Sequence, residues 1–307
     1  MERAIACLGA ANIDRKAQSL QPVVLGSSNP VRTTERPGGV ARNVCENLAR
    51  LECKVGLFAP LGDDGAGAAI RDSLVALGVT MAPGIQAASL PTATYTALTD
   101  PKGELVVGIA DLAICDAVPA DPSSQLMDFL SGYSTWFFDT NLPRAFLQRL
   151  VLDRPNHVTV AVDTVSVAKA RKLEDFLDSI DMLFCNADEA AALAGATKKA
   201  PLDIIMTAHG LRDQGVDTIV ITYGSDGCYV AGDGVGDFIP AFPVTLMDVT
   251  GAGDALTAGT LYGRATGMPI DQAIRQGLAA AAITCQTMHT VSPDISRGRL
   301  QEIIDHE

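Results

Sequence analysis

The sequence predicts an α/β fold, with a mostly parallel central sheet, helices on both faces and a small β-sheet lid. Three observations predict it. Short apolar, β-rich runs alternate with helical patterns through most of the chain, as strand and crossover helix do in a parallel sheet. Two polar segments, 13–36 and 92–114, break that alternation. No window approaches 18 uninterrupted apolar residues, which speaks against a membrane-spanning helix.

The elements follow in order. The run 4–8 leads directly to Gly9 and Asn12 and reads as a first strand rather than a secretion signal. Segment 13–36 is rich in Ser, Gln, Thr and Pro, and Gly38-Gly39 closes it before a helical pattern over 40–51. Strand 55–59 and helix 65–77 come next. Within 92–114, the stretches 94–99 and 104–109 flank Asp100-Pro101-Lys102-Gly103, a good hairpin turn. Strands 136–139, 158–162, 182–185 and 218–222 then alternate with helices 143–150, 166–177, 187–193 and 201–214. The glycines from 232 to 236 form a hairpin turn, and 255–265 reads as a buried helix. Ligands of such a sheet sit beyond the carboxyl ends of its strands. The two polar segments together form the expected lid; plain surface excursions are the alternative. With no repeat, low-complexity tract or linker, residues 1–307 read as one domain.

Composition narrows the function. Across 307 residues, 48% hydrophobic and 19% charged content is ordinary for a soluble α/β protein with a substantial core. A net charge of -13 argues against nucleic acid or an anionic membrane as partner, since both require a basic footprint. A neutral small molecule fits better. The seven cysteines are scattered with no Cys-x-x-Cys pair and no histidine at metal-ligand spacing, which reads as reduced, buried thiols in a cytoplasmic protein.

The densest chemistry lies in Asp248-Val249-Thr250-Gly251-Ala252-Gly253-Asp254. Gly251 and Gly253 permit backbone angles that converge amide groups on an anion, and the following helix adds its dipole at the same place. Asp254 would repel a bound pyrophosphate unless it faces a substrate hydroxyl. A charge-stabilising nest beside a positioned base is what phosphoryl transfer to an alcohol requires. A plain glycine turn before a core helix is the bland alternative. A dinucleotide loop is disfavoured, because Pro243 interrupts the preceding run and Leu256 stands where a third glycine belongs; no Lys-Ser or Lys-Thr closes a Walker loop.

Two separated motifs, the 248–254 loop and Pro37-Gly38-Gly39-Val40-Ala41-Arg42-Asn43-Val44-Cys45-Glu46-Asn47-Leu48-Ala49-Arg50-Leu51, carry a family likeness. The chain resembles the ribokinase-like (PfkB) carbohydrate and nucleoside kinases over nearly its full length. That resemblance implies a three-layer α/β/α fold, ATP as phosphoryl donor and Mg²⁺ as cofactor. Within the family the wording is most similar to the pseudouridine-kinase branch, through Ser28-Asn29-Pro30, the Gly-Gly-Val-x-Arg-Asn stretch, Val162-Asp163-Thr164-Val165-Ser166, Asp139-Thr140-Asn141-Leu142 and Ser292-Pro293-Asp294. Thr164 departs from the expected proline.

The resemblance also implies roles. Asp254 is the base, with the amides of Gly251, Ala252 and Gly253 as the anion nest. Asn12, Asp14, Gly38, Gly39 and Asn43 grip the sugar. Asn186 and Glu189, from Asn-x-x-Glu, organise magnesium through water, and Asn186, Thr222, Gly224 and Gly227 lie along the ATP phosphates and ribose. Lys169, three residues past Ser166, is a further phosphate candidate. Asp248 and Thr250 mark a K⁺ position, although the tail 286–290 lacks the glycine seen in many relatives at a cation loop. For a nucleoside, Ser28, Asn29, Thr94, Thr96 and Asp111 are the polar lid candidates for reading the base, and Thr94 and Thr96 share one strand face by alternation. A homodimer through the lid is a further implication. Another sugar or nucleoside as substrate, and a non-catalytic sugar-binding or nucleoside-binding regulator, remain as alternatives.

Overall fold

The structure, a computed structural model, describes residues 4–84, 90–195 and 201–306, without side chains at 201–203. Met1–Arg3 therefore lie outside the described residues. In chain order the strands are β1 (Ile5–Leu8), β2 (Asn12–Ser19), β3 (Val31–Gly38), β4 (Val55–Phe58), β5 (Thr80–Met81), β6 (Ala93–Thr99), β7 (Leu105–Asp111), β8 (Thr135–Asp139), β9 (Thr159–Asp163), β10 (Met182–Asn186), β11 (Thr218–Thr222), β12 (Cys228–Gly232) and β13 (Val235–Ile239). Nine form one sheet in the order β13-β12-β11-β10-β9-β8-β1-β4-β5, and four form a second in the order β3-β2-β6-β7.

In the large sheet every pairing from β5 to β11 is parallel, and only β12 and β13 run antiparallel to their neighbours. Both faces are covered, which is why its strands are continuous apolar runs instead of alternating ones. Cys7, Leu57, Phe137, Ala161, Phe184 and Val220 enter the core beneath helices Val40–Arg50, Ala252–Ala265 and Ile270–Cys285. Leu8, Trp136, Phe138, Val160, Leu183 and Ile221 enter the opposite core, beneath Arg144–Leu152, Ala187–Leu193 and Pro201–Asp213. The β12–β13 turn is the expected glycine hairpin: Asp233 and Gly234 both have positive φ, 53° and 81°, as a tight I′ turn requires.

One predicted element is corrected. The segment 166–177 is not a continuous helix but a short turn of helix, Val167–Ala170, followed by 3-10 turns Arg171–Leu173 and Leu177–Ser179. Lys169 and Lys172 both reach back to the loop after β8, where Lys169 Nζ donates to Asn141 and Lys172 Nζ to the carbonyls of Thr140 and Leu142 at 2.8 Å each.

The small sheet draws on residues 12–38 and 93–111. Its hairpin turn is held by Asp100 Oδ1, which accepts from Lys102 N at 2.8 Å and Glu104 N at 2.9 Å. The carboxyl ends of β1, β8, β9, β10 and β11 lie side by side, and they deliver Asn12, Asp139, Asp163, Asn186 and Thr222 to one edge of the large sheet.

Candidate active site

Asp254 opens the helix Ala252–Ala265, whose N-cap is Gly251 in the left-handed region at φ 83°. A side chain there would strain the backbone, and its Cβ would fall 1.9 Å from the Thr290 carbonyl oxygen. No side chain caps this helix, so its first-turn amides and dipole face outward as an anion seat. The expected nest is modified at one point: Ala252 N donates to Val249 O at 3.1 Å and closes the turn itself.

Asp254 is half-buried, and Asn43 Nδ2 donates to its Oδ2 at 2.7 Å. Asn43 comes from the helix Val40–Arg50, so the two motifs, 211 residues apart, meet at one hydrogen bond. Arg42 orients the amide by donating to Asn43 Oδ1 at 2.8 Å, and it is itself tied to Glu46. The Asp254 carboxyl is pushed up to about 7, mainly by burial; Asp139 and Asp14 add to the rise, and the Asn43 hydrogen bond and Arg42 oppose it. A carboxylate with its proton affinity near neutrality is suited to general-base work.

Beside it, Asn12 Nδ2 donates to Asp14 Oδ1 at 2.6 Å. Gly38 makes room for that carboxylate, since a Cβ at 38 would lie 2.0 Å from Asp14 Oδ2. Gly39, at φ 99°, lies against the Ala10 carbonyl, where a Cβ would come within 2.4 Å. Both glycines therefore serve close backbone approach. Asp14, Lys16, Thr34, Arg36, Tyr95 and Ala97 of the lid face Asp248, Thr250, Met288 and Thr290 across a cleft of about 300 Å³.

The lid corrects part of the expectation for base recognition. Thr94 pairs with Ile13 and Asp111, and Thr96 with Arg15 and Ile109, so these three polar residues share the face opposite Asp14. Asp111 Oδ1 accepts from Ala113 N at 3.4 Å. The face of Asp14 instead carries Arg36 and Tyr95 in its row, then Thr34, Lys16, Ala97 and Gly108 in the next. Asn29 is engaged in its own loop: its amide donates to Val24 O and Ser27 O at 3.0 Å each and accepts from Val24 N at 2.8 Å. Neither Ser28 nor Asn29 lines the cleft.

At the end of β10, Asn186 and Glu189 form a reciprocal capping box on helix Ala187–Leu193, and Thr164 Oγ1 donates to Glu189 Oε2 at 2.7 Å. Thr222 Oγ1 donates to Cys185 O at 3.4 Å. Gly224 faces open space, whereas Gly227, at φ 101°, lies against the Ile239 carbonyl, 2.1 Å from where a Cβ would stand. Lys169 engages Asn141. Asp248 Oδ1 accepts from Thr250 N at 3.0 Å and Thr250 Oγ1 at 2.8 Å.

Asp139 belongs to this site although sequence reasoning assigned it no role. It is fully buried, and its carboxylate accepts from Ala10 N, Ala41 N and Asn141 N at 2.9 Å each. It thereby locks the loop after β1, the start of the Asn43 helix and the loop after β8 onto one group. Gly9 is obligatory beside it, since a Cβ there would sit 2.3 Å from the carboxylate. Asp163 was likewise unassigned; burial, with Asp254 adding, pushes its carboxyl well up. The residue after Thr164, Val165, has φ 59°, an outlier for a β-branched side chain and a sign of local strain at the site.

The model of pfkB family carbohydrate kinases matches residues 2–296. The chain belongs to the pfkB carbohydrate kinase family. This kinase is 30% identical to the pseudouridine kinase of Escherichia coli K12 over 305 residues, which cover 98% of this chain and 96% of that one. A solved carbohydrate kinase from Agrobacterium tumefaciens superposes with a TM-score of 0.87 at 31% identity, covering 99% and 97% of the two chains. Arabidopsis thaliana ribokinase, solved with ribose and ATP, superposes with a TM-score of 0.87 at 20% identity and covers 99% of each chain; it shares the ribokinase-like fold. The enzyme is an ATP-dependent sugar or nucleoside kinase, and no described helix is long and apolar enough to cross a membrane.

Proposed function

We propose that this kinase phosphorylates the 5'-hydroxyl of pseudouridine, giving pseudouridine 5'-phosphate and ADP. The observation that carries the substrate is the end-to-end likeness to a pseudouridine kinase. The Asn43–Asp254 contact supports the chemistry.

Asp254 accepts the proton of the 5'-hydroxyl as that oxygen attacks the γ-phosphorus of ATP in line. The new P–O bond forms while the bridge to the β-phosphate breaks, and its electron pair leaves on ADP. Asn43 holds the Asp254 carboxylate at 2.7 Å, and the uncapped helix start around Gly251 and Gly253 stabilises charge on the transferred group. Asp14, fixed by Asn12 and given room by Gly38, takes sugar hydroxyls.

Among the described residues no group of three or more His, Cys, Asp or Glu is arranged to cage a metal. The donors present fit magnesium in the outer-shell manner, because Asn186 and Glu189 hold each other and keep oxygen atoms that can also accept from metal-bound water. When bound, magnesium supplies charge neutralisation on the phosphates. Asp248 and Thr250 remain the K⁺ candidates in this reading, and growth of activity with added KCl is the check. The reading places the enzyme in the cytoplasm as a dimer through the lid. The edge strand β7 supports the dimer, since it exposes Leu105, Val106, Val107 and Ile109 by 43 to 60%. An Ile109→Lys variant is expected to sediment as a monomer, and an unchanged dimer would refute that contact.

ADP release with ATP and magnesium, measured with pseudouridine, uridine, adenosine, ribose and fructose and with products confirmed by mass, tests the proposal. Turnover strongly favouring pseudouridine over uridine is expected. Preference for a free sugar would replace the substrate and keep the Asp254 chemistry, whereas no turnover on any of them would favour a binding protein.

A further inference from the structure

We propose that Tyr95 is the platform on which the planar base of the substrate stacks, and that it makes the lid select nucleosides over free sugars. This rests on the nucleoside reading above.

The register of the lid carries the inference. Asp14 on β2 stands directly opposite Arg36 on β3 and Tyr95 on β6, and directly opposed side chains in a sheet have their Cβ atoms about 5 Å apart. A substituent on a sugar held at Asp14 therefore meets one of these two neighbours. Tyr95 is the one held ready. A Cβ on Gly108, in the adjoining strand, would lie 2.6 Å from the Tyr95 hydroxyl oxygen and 3.2 Å from two of its ring carbons, so the hydroxyl end of the ring rests against the bare glycine backbone. In the next row Ala97 pairs with Gly108, and these two small residues leave the ring edge clear. The ring lines the cleft and is 37% exposed. An aromatic ring seated on glycine loses little freedom when a base covers it, and ring stacking tolerates bases of different hydrogen-bonding pattern. A free ribose or fructose offers no flat face to match it.

The test compares wild type with Tyr95→Leu, Tyr95→Phe and Gly108→Val, using pseudouridine as variable substrate. Tyr95→Leu is expected to raise the KM for pseudouridine about 10- to 100-fold, the range of one lost base–aromatic stack, and to leave kcat and the KM for ATP within about twofold. Tyr95→Phe, which keeps the ring, should retain wild-type KM. Gly108→Val, which displaces the ring without altering it, should raise KM in the same direction as Tyr95→Leu. A pseudouridine KM within twofold of wild type in Tyr95→Leu overturns this inference alone, as does an equal loss in kcat and in the KM for ATP. Wild type that turns over free sugars and no nucleoside overturns the substrate reading along with it.

Discussion

The carboxyl edge of the large sheet and the inner face of the lid hold the two halves of the site in different ways. At the sheet edge, Asp139 is fully buried and bound to three amides, and Asn43 is 4% exposed and bound to Asp254. On the lid, every residue of β7 is exposed, and Lys16, Arg36 and Tyr95 face an open cleft. Reacting atoms must be held to a fraction of an ångström, which calls for packed, hydrogen-bonded supports. Recognition of one substrate among many needs the right side chains along one face rather than a locked cluster, and that region is less packed.

Replacing Asp254 by Asn should break the comparison most visibly. The sheet edge keeps its shape and loses its base, so kcat should fall about 10²- to 10⁴-fold while the nucleoside Kd by calorimetry stays within a few-fold. Asn43→Ala should cost on the order of 10²-fold in kcat/KM, because Asp254 loses the group that aims it, and steady-state kinetics would show it. Asp139→Ala acts on stability instead. Three buried amides lose their acceptor, and urea unfolding should report a loss of about 3 kcal/mol or more. At the small end, Thr94→Ala and Thr96→Ala stand on the lid face away from Asp14 and should leave the KM for pseudouridine within about twofold; a tenfold rise in either would return them to the site.

The two regions also differed in how far they could be read beforehand. The 248–254 loop, Gly38-Gly39 and Asn186 to Glu189 were legible because each motif is contiguous and each residue type has a backbone or charge reason to be there. Asp139 was not, since its partners are featureless backbone amides 129 and 98 residues away that only the parallel sheet brings together. On the lid, alternation showed that Thr94 and Thr96 share a face. It could not show which face turns inward, because a one-residue change of register exchanges the two. The hairpin itself was readable from its turn. The segment expected as a helix over 166–177 breaks into short turns whose Lys169 and Lys172 bond to the loop after β8, tertiary contacts that leave no local signal in the sequence.

The pH dependence of kcat/KM for the nucleoside tests the central claim most directly, because it reports the proton affinity of the base in the free enzyme. Burial and the carboxylates of Asp139 and Asp14 lift the Asp254 carboxyl to about 7. The base works only when ionised, so kcat/KM should rise tenfold per pH unit below about 7 and level off above it. The same ionisation costs stability: the folded state holds this proton more tightly than the unfolded chain, whose aspartate loses it near 4, so stability falls as pH rises from about 4 to 7. Asp254→Asn should lack both the kinetic limb and that fall. A profile flat from pH 5 to 8 in the wild type, or an Asp254→Asn variant that keeps the limb, would contradict the assignment of Asp254 as the base.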